Sequence, residues 1–260
     1  MRALGVAHLT ALDLPPVDLV RQAARAGFAA VGLRLHPVLP GAQAYPQPVG
    51  SPAARELQRV LVGEGVRVSD IEFLSLTPQL QVAECEALLA AGAELGAASL
   101  TVSGDDDDPA RLSQTFAALC ELASGYGLRV DLEFMRWRAV ANLQQAVAVV
   151  AGAGQENAGV LVDALHLYRS GGDERAVAQV DPRYLRAVQV CDAPQLAPPE
   201  ALIIQEAREG RLLPGQGALP LLALLDALPA NTAVSVETPS SLLATVDRLE
   251  AAYQATRSLI

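Results

Sequence analysis

Four polar residues in the second half of the chain close runs of β-forming residues: Glu133 in VDLE, Asp163 in VLVD, Gln189 after Val188, and Glu237 in VSVE. Each alone fits a strand-end residue that binds a helix N-terminus. Four in succession call for a shared cause. Three carboxylates delivered to one place repel one another strongly unless a cation lies among them. A divalent metal removes that repulsion, and the Gln189 amide oxygen then serves as a neutral fourth ligand. An all-oxygen set favours Mn²⁺ or Mg²⁺, with Zn²⁺ as the alternative. A ligand role also explains an amide between Val188 and Val190, because a buried amide without partners is costly.

Other candidates stand nearby. His166 follows Asp163 by three residues, and Arg211 precedes LLPGQG. A guanidinium suits a carboxylate, a phosphate or a developing enolate. Arg34 and His36 end the run GLRLHP, Glu72 ends a third strand, and Arg136 and Trp137 follow Glu133. Each of these could line a pocket or do surface duty. The run DDDD (105–108) reads as a solvated loop whose last Asp caps a helix.

The elements that must position these residues recur every 25 to 45 residues. Strands are expected at 2–9, 29–35, 67–74, 97–103, 128–134, 158–164, 185–192 and 232–238. Helix starts are marked by a capping residue before Pro: Ser51-Pro52, Thr77-Pro78 and Asp108-Pro109. Residues 17–28 carry apolar side chains at helical spacing and stop at Gly27, while EGVRV and YGLRV repeat one helix–Gly–strand design. Eight strand–helix units imply one (β/α)8 TIM barrel over 1–260, with chemistry at the C-terminal strand ends. An open doubly wound sheet is the alternative, but no G-x-G-x-x-G follows the first strand. The Pro-rich stretch 37–52 is long enough to cover part of a site.

Composition narrows the chemistry. The 260 residues are 51% hydrophobic and carry a net charge of −10, which disfavours nucleic acid. All nineteen basic residues are Arg, so Schiff-base aldolase chemistry, pyridoxal phosphate attachment and a P-loop are excluded. No apolar run is long enough to span a bilayer. The opening MRALGVAHLTALDLPP reads as a first strand rather than a signal peptide. Three widely spaced cysteines, Cys85, Cys120 and Cys191, fit a reducing cytoplasm.

The order Glu133, then VDALH, then a ligand before Asp in VQVCD, then Glu237, resembles the xylose-isomerase-like superfamily of TIM barrels. RLLPGQGALPL (211–221) resembles that family's Pro-Gly-x-Gly loop. The likeness is specific over strands five to eight and only rhythmic before them. It implies a metal held by Glu133, Asp163, Gln189 and Glu237, with Glu133 and Glu237 exchanging a proton. It places His166 and Arg211 on the substrate. Members usually carry His where this chain has Gln189. Bacterial 3-dehydroshikimate dehydratases share the Gln and a Gln-x-x-Asp-Ala-Pro run like residues 189–194. Endonuclease IV needs a His-rich three-metal cluster, which His8, His36 and His166 cannot supply. The resemblance implies an isomerase or epimerase acting on a sugar, sugar phosphate or keto-polyol through an enediolate. A dehydroshikimate or inosose dehydratase is the alternative, and a non-catalytic binding barrel is a third reading. Relatives are often homo-oligomers.

Overall fold

Along each strand, two kinds of side chain alternate, and that alternation builds the architecture. In a strand, successive side chains point to opposite faces. Val130 and Leu132 flank Asp131, and Val188 and Val190 flank Gln189; the four aliphatic residues all belong to the buried core between sheet and helices. Each such side chain removed from water contributes about 1.5–3 kcal/mol. The polar residues between them face the barrel interior.

The computed structural model describes residues 3–260. Eight strands form a closed parallel barrel in sequence order. They are β1 (Leu4–Val6), β2 (Ala30–Arg34), β3 (Arg67–Leu76), β4 (Ser99–Gly104), β5 (Arg129–Glu133), β6 (Ala158–Asp163), β7 (Leu185–Val190) and β8 (Ala233–Val236). β1 closes the ring on β8, with Leu4 opposite Val234 and Val6 opposite Val236. The strands are mostly shorter than the sequence implies, and Arg2 of the expected first strand lies outside the described residues.

Ser51 and Asp108 cap helices that begin at Pro52 and Pro109, as their types predict. Asp108 accepts from Ala110 N and Arg111 N, so the fourth residue of DDDD is a cap. Gly27 and Gly65 end their helices at φ 106° and 67°, a left-handed region that glycine adopts at low cost. Thr77-Pro78 departs from expectation. Leu80 N donates to Thr77 O and closes a turn, the chain is extended at Gln81, and a 3-10 helix at Val82–Cys85 leads into the α-helix that begins at Glu86. The Thr77 hydroxyl caps nothing there, so Pro78 starts a turn rather than a helix. Among the described residues, no helix is long and apolar enough to cross a membrane.

Candidate functional site

The C-terminal ends of the strands open into a pocket of about 240 Å³ lined by Arg34, Glu72, Glu133, His166, Arg211 and Glu237, among others. Glu133 and Asp163 are the last residues of β5 and β6, and Glu237 directly follows β8. Asp163 sits level with Gln189 in the β6–β7 ladder. All of these side chains are buried. Strand closure therefore gathers groups separated by more than a hundred residues into one water-poor space.

Arg211 binds two of the carboxylates at once. Its guanidinium donates to Asp163 Oδ2 at 2.5 Å and pairs with Glu237 Oε2 at 2.8 Å. Its Nε donates to Ala207 O at 2.8 Å, which fixes the plane of the fork. The segment around it is held by Asp192, which follows Gln189 by three residues. Asp192 Oδ1 accepts from Ala193 N and Leu219 N, and Oδ2 accepts from Gly215 N, all at 2.9 to 3.0 Å. A backbone bridge between Asp192 and Leu212 completes the clamp. The Pro-Gly-x-Gly loop is thus the means by which Arg211 reaches the mouth.

Across the pocket Arg34 pairs with Glu72 at 3.3 Å, both nearly inaccessible to solvent. Arg34 is set in place from below. Its backbone N–H donates to His8 Nδ1 at 2.8 Å, while His8 Nε2 lies 3.0 Å from Leu14 O. The same strand-end rule that selected Glu133 would have selected His8, two residues beyond β1. Trp137 stands edge-on to His166, ring centroids 5.1 Å apart, and lines the pocket. Val38, Ala42 and Gln43 of the 37–52 loop also line it, as its length implies. Two candidates stand apart. His36 uses Nδ1 on Phe73 O, and Arg136 pairs with the exposed Glu200 at the surface.

Four buried carboxylates, Glu72, Glu133, Asp163 and Glu237, face only two buried guanidiniums, Arg34 and Arg211. The fully ionised set carries two excess negative charges, the charge of one divalent ion. Without such an ion the strain appears as protonation. Burial, then the charges of Glu237 and Asp163, push the Glu133 carboxyl well above its ordinary range. Burial also raises Glu237 to about 8, against the opposing pull of Arg211. Asp163 is lowered: burial works against ionisation, but Arg211 and His166 outweigh it. Burial lowers His166 to about 4, so its ring is neutral at neutral pH. Its Nε2 lies 3.6 Å from Glu133 Oε1.

A donor set that fits a metal is formed by Glu133, Asp163 and His166, while Glu237, paired with Arg211, lies outside that group. The first three each offer one ligand atom, and these atoms lie within 4.8 Å of one another. Gln189 is buried, and its Oε1 has no hydrogen-bond partner among the described residues. A buried carbonyl-type oxygen without a donor is costly unless a cation meets it.

Comparison with known proteins agrees with this architecture. A 125-residue stretch, 48% of the chain, is 34% identical to 3-dehydroshikimate dehydratase of Pseudomonas aeruginosa and covers 19% of that protein. Inosose isomerase of Bacillus velezensis is 29% identical over 130 residues, 48% of this chain and 45% of that one. The match thus spans less than half the length of either relative. Among solved structures, the IOLI protein with a bound zinc atom superposes at a TM-score of 0.80 and 18% identity, over 100% of this chain and 98% of that one, a likeness of fold. The family model for the xylose isomerase-like TIM barrel matches residues 20–259. The closed barrel and that match together assign the chain to the xylose isomerase-like TIM barrel family.

Proposed function

We propose that this chain is a divalent-metal-dependent isomerase or epimerase of a sugar, sugar phosphate or keto-polyol, working through an enediolate. The observation that carries the reading is the unbalanced buried charge: four carboxylates against two guanidiniums, with Glu133 and Glu237 both raised in pKa. Glu133, Asp163, Gln189 and Glu237 would hold the ion. Their oxygens favour Mn²⁺ or Mg²⁺, while His166 within ligand range of Glu133 and Asp163 keeps Zn²⁺ in play. When bound, the ion supplies positive charge for a carbonyl and its neighbouring hydroxyl and so stabilises the negative charge that develops.

The remaining work falls to side chains. One of Glu133 and Glu237 removes the proton beside the carbonyl, and the other returns it to the adjacent carbon or the opposite face. Arg211 holds the Asp163 and Glu237 carboxylates in place and, from the pocket wall, offers positive charge to substrate oxygens. Trp137 against His166 keeps water from the reacting carbons. The whole chain is one domain in this reading, and its three buried free cysteines suit a reducing cytoplasm.

A second reading, loss of a β-hydroxyl to give a dehydratase, is favoured by two observations. Neutral His166 beside Glu133 is suited to hand on a proton, and the Gln189-to-Pro194 run resembles that of dehydroshikimate dehydratases.

The test is solvent exchange. Mn²⁺-loaded protein is incubated in heavy water with ketohexoses, inososes and 3-dehydroshikimate, and deuterium entering carbon is followed by NMR. Exchange is expected for one substrate class, reduced at least about 100-fold in Glu133→Gln and Glu237→Gln. An aromatic product rising in the ultraviolet from dehydroshikimate decides for the dehydratase. Absence of exchange across the panel, or metal content unchanged in Glu133→Gln and Gln189→Ala together, would sink the proposal.

A further inference from the structure

The barrel interior is filled unevenly. Barrels of this kind pack their interior with layers of bulky branched side chains. Here a second cavity, of about 570 Å³, enters from the opposite end, where the strands begin. It exists because small residues stand on the inner wall: Gly5 of β1, Ala30 of β2, Ala187 of β7 and Ala233 of β8. Gln189 is also among the residues that line it.

The deep part of this cavity is acidic. Asp70 of β3 and Asp131 of β5 project into it beside Thr101 of β4. Asp70 accepts from the Ser69 hydroxyl at 2.7 Å and from Thr101 at 3.4 Å. Asp131 is 1% exposed; Arg129 donates to its Oδ2 at 2.9 Å, and its Oδ1 has no hydrogen-bond partner among the described residues. The backbone is cut to fit these carboxylates. A Cβ on Gly159 would collide with Asp131 Oδ1, and one on Gly32 would stand 3.1 Å from both Asp70 oxygens. Burial, then the charges of Glu72 and Asp131, raise the Asp70 carboxyl to about 7. Arg129 pairs with Asp131 alone, Asp70 is held only by hydroxyls, and Arg67 stands in the lining as a second cation.

The outer part differs in kind. Leu61, Val62, Val66 and Leu95 form an apolar rim at the opening. A charged floor, a narrow wall of Gly and Ala, and an aliphatic rim describe the negative of a short alkylammonium. The space is many times the roughly 30 Å³ that one water occupies in the liquid, and is too large for a bare metal ion. The chain's net charge of −10 draws cations towards it.

We propose that this lower cavity is a second ligand site, which takes a small primary ammonium compound with its head on Asp131 Oδ1 and Asp70 and its aliphatic body against the Ala wall and apolar rim. The site opens at the end of the barrel opposite the mouth, and Asp70, Asp131 and the apolar rim line it and not the mouth.

Calorimetry with n-butylammonium, 1-butanol and butanesulfonate tests it. One equivalent of butylammonium should bind with a Kd of about 1 mM or tighter, and neither the alcohol nor the sulfonate should match it. Asp131→Asn should weaken binding at least about tenfold through loss of a charged hydrogen bond. Ala233→Leu fills the wall while leaving both carboxylates, and should abolish binding in a protein whose circular dichroism is unchanged. Glu133→Gln, at the mouth, should leave the affinity as it is. The proposal is overturned if butylammonium gives no saturable heat, if butanol binds as tightly, if folded Asp131→Asn and Ala233→Leu bind like the parent, or if Glu133→Gln alone removes the signal.

Discussion

Arg211 is the residue on which the charge of the mouth turns. It spans Asp163 and Glu237, two carboxylates whose own repulsion is otherwise uncompensated, and it is almost wholly shielded from water. Removing one partner of a buried ionic cluster typically costs about 3–5 kcal/mol, because the other charges stay behind unpaired. Arg211→Gln is therefore expected to lower the thermal midpoint of the metal-free protein by many degrees, and Mn²⁺ should restore more of it than it adds to the parent. Arg211→Lys should recover only part, since an ammonium is a point charge and cannot span both carboxylates as a fork does. Thermal melts of the three proteins with and without Mn²⁺ check this. Equal melting of parent and Arg211→Gln without metal would show that the guanidinium does not balance the cluster.

At the scale of elements, the loop after β7 matters more than its length implies. Asp192 collects three backbone N–H groups, from residues 193, 215 and 219, and so ties the start of the loop to its end. Gly217 passes against Ala193 so closely that any side chain would collide with its carbonyl. Asp192→Ala leaves those donors without a charged acceptor, at a cost of about 2–3 kcal/mol. The loop should then release Arg211 from its fixed position, so turnover should fall while Mn²⁺ content is kept. Denaturant melts read the first effect, and metal analysis beside the deuterium-exchange rate reads the second. Loss of metal together with turnover would place Asp192 in the metal site instead. A second elemental lesson comes from Thr77-Pro78, where cap and Pro are present but the chain makes a turn. Capping chemistry licenses a helix start but does not compel one, and here a 3-10 turn begins at Val82 and the α-helix at Glu86.

For the whole molecule, the buried acids set how stability follows pH. Glu237 is raised to about 8 and Asp70 to about 7. In the unfolded chain such carboxyls titrate near 4. Between those values the folded protein keeps protons that the unfolded chain has released, so their stabilising effect is complete below about pH 4 and is lost as pH rises through 7 and 8. His166, lowered to about 4, acts oppositely: the unfolded chain holds its proton up to about 6.5. Above pH 6.5 that contribution is constant and the acids act alone. The metal-free protein should therefore become less stable from pH 6.5 to 8, by at most about 1.4 kcal/mol per pH unit for each group. Asp70→Asn should remove part of the slope and Mn²⁺ most of the remainder. Chemical denaturation at three pH values measures it, and a rise over this window would overturn the assignment of these carboxyls.

Much of this was written locally. Alternation with period two marks the strands, Gly65 and Gly27 stop helices, Ser51 and Asp108 start them, and eight such units imply a closed barrel. The strand-end positions of Glu133, Asp163 and Glu237 follow from the same runs, because a residue's face and height on a strand depend only on its neighbours in sequence. What the sequence could not state is who meets whom after the ring closes. That Arg211 bridges Asp163 and Glu237, that Asp192 anchors a loop, that His36 and Arg136 stand apart from the mouth, and that Gly5, Ala30, Ala187 and Ala233 leave a second cavity all depend on the stagger between strands far apart in the chain. Local pattern decides which way a side chain points. Only tertiary closure decides what it points at.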